Sequence, residues 1–195
     1  MASRARRPSK LPWRVVIITN YCYPRNWPSS KMRSRVREDP RIRFTYGIHP
    51  RIVTLERTST QNIWMEDLDH KLNTTKVVAV GECGLYSTDM KTDINKQLEY
   101  FEKQIVLALK KSVPVVIHCR RDTRLDEQCL NSLTRILPRD FKIHIHCFNG
   151  NPDTYNKWKA AFPNCKGVGM KRAEIGLKNR QIINETYSFR CFLIL

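Results

Sequence analysis

Short apolar runs rich in Val and Ile recur along the chain, and stretches of helical periodicity separate them. The runs fall at 14–19 (RVVIIT), 44–49 (FTYGIH), 76–81 (KVVAVG), 113–119 (VPVVIHC), 142–148 (KIHIHCF), 166–170 (KGVGM) and 181–186 (QIINET). They are near-continuous rather than alternating, the pattern of parallel strands covered on both faces. Between them, residues 61–72 place Trp64, Leu68 and Leu72 at i, i+4 and i+8. Residues 97–111 carry a stripe of Leu98, Phe101, Ile105, Ala108 and Leu109, with their charges largely elsewhere. Two further helices are predicted at 124–137 and 152–162, the second opened by Pro152.

Strand followed by helix, repeated, predicts right-handed βαβ units and an α/β fold with a parallel sheet. Seven strands suit an incomplete (β/α)8 TIM-type barrel short of about one strand, or an open doubly wound sheet. The segment GECGLY at 81–86 is not a G-x-G-x-x-G phosphate loop, which favours the barrel.

In a parallel barrel the chemistry gathers at the C-terminal ends of the strands. Four chemistry-bearing residues close four successive runs here: His49 (GIHP), Glu82 (VGECGL), His118 (VIHCRR) and His146 (IHCFNG). Three imidazoles and a carboxylate on one rim make a ligand set for Zn²⁺ or a similar cation. A carboxylate can also bridge two cations. Arg120 leaves the same strand end as His118 and presents a planar fork suited to a phosphate. Plainer roles compete: His144 alternates with Ile143 and Ile145 and reads as a hydrogen-bonded barrel filler, and His49 before Pro50 can simply shape a loop. Glu82 resists such a reading, because a carboxylate after an apolar run is costly to bury unless paired or metal-bound.

Composition narrows the field. Of 195 residues, 41% are hydrophobic and 27% charged, as in a globular protein. No stretch approaches the ~18 apolar residues of a membrane span, and no secretory signal opens the chain. The net charge is +17, and ten Lys or Arg residues precede the first acid, Glu38. Such a block suits nucleic acid, although a solvated tail explains it equally well. A mitochondrial presequence ranks third, because Pro8 and Pro12 interrupt the helix it needs. Seven cysteines without a C-x-x-C pair fit a reducing, intracellular setting, in cytoplasm or nucleus.

Together the segments GIHP, VVAVGECGL, Gln97 with F-x-x-Q-x-x-L-A from Phe101, PVVIHCR and HCFNG resemble, in order and spacing, the TatD-type metal-dependent deoxyribonucleases, an amidohydrolase-like TIM-barrel family. The resemblance is strong over 44–150 and weaker over 14–43 and 151–186. It implies a divalent-metal (Mg²⁺, Mn²⁺ or Zn²⁺) phosphodiesterase acting on DNA, with no membrane and no inferable protein partner. Glu82 would be the catalytic, bridging metal ligand, His118 and His146 would bind metal, and His49 and Arg120 would contact substrate phosphate. Against the family pattern, the first-strand Asp-Thr-His-x-His is missing, Tyr86 stands where an acid is expected, and Tyr187 replaces the last-strand Asp. Three ligands of six are thus retained, which predicts an impaired site and a barrel lacking its first strand and shortened at its C-terminal end. The expected organisation is a basic leader over 1–13 and one partial barrel domain over 14–195. The alternatives are a non-catalytic basic nucleic-acid-binding protein built on that fold, and a chain that does not fold stably.

Overall fold

A computed structural model describes residues 17–28, 39–87, 92–120, 123–148 and 150–168, with only the backbone of Arg120 and Val168. The predicted leader at 1–13, the predicted strand at 181–186 and Tyr187 lie outside the described residues.

Six parallel strands run in chain order across one sheet: β1 (Ile17–Tyr21), β2 (Ile42–Tyr46), β3 (Val77–Tyr86), β4 (Val115–Arg120), β5 (Ile143–His146) and β6 (Lys166–Val168). Sequential parallel order with intervening helices is the wall of a TIM-type barrel, and among the described residues that wall stays open, an incomplete barrel. The helices are α1 (Pro50–Val53), α2 (Thr58–Leu72), α3 (Ile94–Lys111), α4 (Thr123–Ile136) and α5 (Pro152–Ala161).

Local chemistry accounts for the helix ends. The Asp93 carboxylate accepts from Lys96 N at 2.9 Å to cap α3, and Asn151 accepts from Thr154 N at 2.8 Å to cap α5 ahead of Pro152. Helix α3 ends at Ser112, which takes the left-handed conformation (φ 53°).

Trp64, Leu68 and Leu72 of α2 are buried, as their spacing predicts. In α3, Phe101, Ile105 and Ala108 are buried, but Leu98 is only partly covered and Leu109 is exposed. The stripe is rotated because Gln97, Tyr100 and Gln104 take the inward positions instead. Between helices and sheet lies a continuous core that includes Val80, Leu85, Ile117, Leu133, Ile145 and Trp158.

Strand β3 shapes the site. Its pairing with β4 runs Val80 with Val115 and Gly81 with Val116, then resumes at Cys83 with Ile117. Glu82 is the extra residue, a β-bulge of the kind that re-aims a side chain. Gly84 (φ +146°) lies so close to β4 that a Cβ there would stand 2.2 Å from the His118 carbonyl oxygen. Only glycine takes that conformation without strain and admits the neighbouring backbone at that distance.

Candidate metal centre

Glu82 sits sixth in the ten residues of β3, not at its end as the strand-end reading expects. The bulge, rather than the strand terminus, presents its carboxylate. That carboxylate is buried, and different residues hold its two oxygens. His118 Nδ1 lies 3.0 Å from Oε2, while His146 Nε2 lies 3.3 Å from Oε1. The Asn20 amide donates to the same Oε1 at 2.5 Å, and the Thr45 hydroxyl donates to Asn20 Oδ1 at 2.7 Å. The ionised Glu82 carboxylate only accepts, so it fixes which end of the Asn20 amide faces it, and the Thr45 hydroxyl donates to the other end.

Burial pushes the Glu82 carboxyl upward. The His118 hydrogen bond and the electrostatic influence of the neighbouring His146, His118 and His49 imidazoles outweigh it and hold the group below its ordinary range. An ionised carboxylate in a buried pocket is thus the electrostatic centre of the site. At the 3.0 Å contact, His118 Nδ1–H donates to that carboxylate, which leaves the Nε2 lone pair for another partner.

His49 lies three residues beyond β2, at the N-cap of α1. Its backbone N–H donates to Cys22 O at 2.8 Å, and its Nδ1 accepts from Arg51 N at 3.1 Å. The neutral ring therefore carries its proton on Nε2. His49 packs on His118 with centroids 4.3 Å apart and stacks on Tyr23 at 5.2 Å. His49, Glu82 and His118 are all buried, and each offers a ligand atom within 4.8 Å of the others, a group that could hold a metal ion.

The remaining predicted residues divide. Arg120 is the last residue of β4, paired with Tyr86 of β3, which brings its backbone to the same rim. The Tyr86 ring, in the position where an acid is expected, lies edge-on to His118 at 5.8 Å and to His49 at 6.3 Å. His144 faces the same side of β5 as His146, its ring 6.2 Å away, and burial depresses it to about 4. It stays neutral near pH 7, as a filler would.

Two glutamines of α3 brace the rim. Gln97 accepts from Tyr86 N at 2.8 Å and donates to Tyr86 O at 2.9 Å. Gln104, two helical turns on, accepts from Ile48 N at 2.7 Å and donates to Ile48 O at 3.2 Å. The sequence pattern contains both glutamines but not this use of them. Asn20 escapes notice too, although the strand-end rule that selects the histidines would also select the first polar amide after the run at 14–19.

Among proteins of known family, the model for "TatD related DNase" matches residues 14–186. The human "3'-5' RNA nuclease TATDN2" is 33% identical over 148 residues, 75% of this chain and 18% of that protein. The "3'-5' ssDNA/RNA exonuclease TatD" of Yersinia pseudotuberculosis is 31% identical over 114 residues, 56% of this chain and 39% of that one. This chain therefore matches well under half the length of these curated relatives.

Among solved structures, the TatD homolog YJJV of Escherichia coli K12 superposes with a TM-score of 0.67 at 23% identity, covering 86% of this chain and 62% of that one. A TatD-family hydrolase from Entamoeba histolytica gives 0.66 at 19% identity, covering 87% and 56%. These likenesses show the fold. With its family match running from residue 14 to residue 186, this chain belongs to the TatD-related DNases.

Proposed function

We propose that the chain is a divalent-cation-dependent phosphodiesterase that cleaves nucleic acid, with DNA as the substrate its family resemblance implies. Relatives named for single-stranded DNA and RNA extend the substrate class to RNA strands. The observation that carries the reading is the convergence of His118 and His146 on opposite oxygens of the buried Glu82 carboxylate.

The donor set fits a divalent cation. The imidazole nitrogens of His49 and His118 and the ionised Glu82 carboxylate, all buried and within reach of one another, suit Zn²⁺ better than Mg²⁺. By the family resemblance, Glu82, His118 and the partly exposed His146 would hold it. When bound, such a cation supplies Lewis acidity toward a phosphoryl oxygen and lowers the pKa of water toward neutrality.

The chain's own groups do the rest. His49 Nε2–H is the donor for a non-bridging phosphate oxygen, its tautomer set by the Arg51 N–H at Nδ1. Arg120, at the end of β4, adds a charge-assisted fork for the same phosphate. Asn20 keeps the Glu82 carboxylate from rotating.

Incubation with single-stranded DNA or RNA and Mn²⁺, Zn²⁺ or Mg²⁺ tests this. Cleavage should stop on chelation and in Glu82→Gln and His118→Ala. Cleavage indifferent to both substitutions overturns it.

The basic stretch favours a second reading, that nucleic acid is bound without being cut. Residues 1–13 would then act as a leader to a single domain over 14–195. Binding that survives chelation, falls steeply with salt and disappears on deleting residues 1–37, with no cleavage under any cation, would select it.

A further inference from the structure

Tyr23 lies two residues beyond β1, and its backbone is pinned from both sides. Cys22 O accepts from His49 N at 2.8 Å, and Tyr23 O accepts from Asn26 N at 2.8 Å. The Tyr23 ring lies nearly parallel to that of His49, with centroids 5.2 Å apart and planes 13° from parallel. His49 packs on His118, and His118 is bonded to Glu82. Three rings thus form a tier that climbs from the buried carboxylate to the surface.

The tier opens abruptly at its top. His49 and His118 are each 6% exposed, whereas Tyr23 is 36% exposed. Tyr21, by contrast, pairs with Tyr46 as part of the packing around β1 and β2. Arg51 and Glu82 both act electrostatically on the Tyr23 hydroxyl, in opposite senses. An aromatic ring on a pinned backbone, about one-third exposed and one ring away from the candidate metal ligands, offers a nucleotide a stacking surface. A base can stack on it.

We propose that Tyr23 is a base-stacking subsite, taking the unpaired nucleobase of the nucleotide whose phosphate lies at the His49–Glu82–His118 cluster. This rests on the nuclease reading and gives it a first point of contact with the base. The face of a base is common to all four nucleotides, so the subsite selects a strand whose base is free to leave its own stack rather than a sequence. A ring that merely shielded His49 from water could be replaced by any apolar side chain of similar size; one that stacks a base could not.

The test uses the full chain with fluorescein-labelled hexanucleotides of single-stranded DNA, binding being read by anisotropy in EDTA. Each position in turn carries an abasic site. Wild type should show one position at which removing the base weakens binding about tenfold. Tyr23→Phe should bind like wild type, and Tyr23→Leu should lose about tenfold on intact strands. At the sensitive position the abasic strand should bind wild type and Tyr23→Leu equally. Circular dichroism melting confirms that Tyr23→Leu is folded, and the abasic scan on wild type needs no substitution at all. A flat abasic scan, or a Tyr23→Leu loss that persists on the abasic strand, overturns the subsite. The nuclease reading fails separately, when wild type leaves strands uncut with every cation. Wild type that binds no strand in EDTA overturns the subsite and leaves the nuclease reading to the cleavage assay.

Discussion

Asn20 donates its amide to Glu82 Oε1 at 2.5 Å while accepting the Thr45 hydroxyl at 2.7 Å. Two strands with no ligand of their own thereby fix the carboxylate at the centre of the site. Outer partners of this kind usually matter tenfold to a hundredfold for metal affinity. Asn20→Ala should weaken Mn²⁺ or Zn²⁺ binding by about that factor, measured by titration calorimetry. Thr45→Val should weaken it less, and the double variant should be no worse than Asn20→Ala, because Thr45 acts through Asn20. Additive losses would show two unrelated effects.

Gly84 lets β3 approach the backbone of His118. In Gly84→Ala the new methyl would overlap the His118 carbonyl oxygen, and a positive φ adds strain of about 1–3 kcal/mol. Urea unfolding should show a loss of more than about 2 kcal/mol, with metal affinity falling as His118 shifts. A variant as stable as wild type would mean that the strands can separate without cost.

Gln104 is wholly buried and satisfies both backbone groups of Ile48, the residue before His49. Gln104→Leu keeps the volume but strands an N–H and a carbonyl, each at about 1–3 kcal/mol. Denaturation should report the loss. The His49 ring signals in NMR spectra should shift, because the loop that carries them has lost its brace. Unchanged His49 shifts would show that α1 alone positions the ring.

His144 is held to about 4 by burial, against about 6.5 for an unfolded histidine. Below pH 6.5 the unfolded chain takes up a proton that the folded chain refuses. Stability complete above pH 6.5 is therefore lost as pH falls toward 4, by up to about 3 kcal/mol. Melting temperatures of the chelated protein should decline across that window, and His144→Leu should flatten the decline. An equal slope in the variant would assign the acid sensitivity to other groups.

Much of the fold was legible along the chain. Near-continuous apolar runs alternating with helical periodicity require a parallel sheet covered on both faces, and six such strands stand in chain order. Trp64, Leu68 and Leu72 were identifiable as a buried face from spacing alone. Leu109 was not correctly placed, because hydrophobic spacing cannot know that Gln97 and Gln104 are drawn inward by backbone groups of distant loops.

His49, Glu82, His118 and His146 could likewise be singled out by residue type and by the rule that parallel strands gather chemistry at one end. Sequence determined which residues were available and on which side of the sheet they would lie, because both follow from local periodicity and chain direction. Tertiary structure alone decided that Glu82 sits on a bulge, that Asn20 shares its oxygen with His146, and that Tyr23 caps the His49 ring. Those relations depend on register and on a few ångströms between strands distant in the chain, which no local pattern encodes.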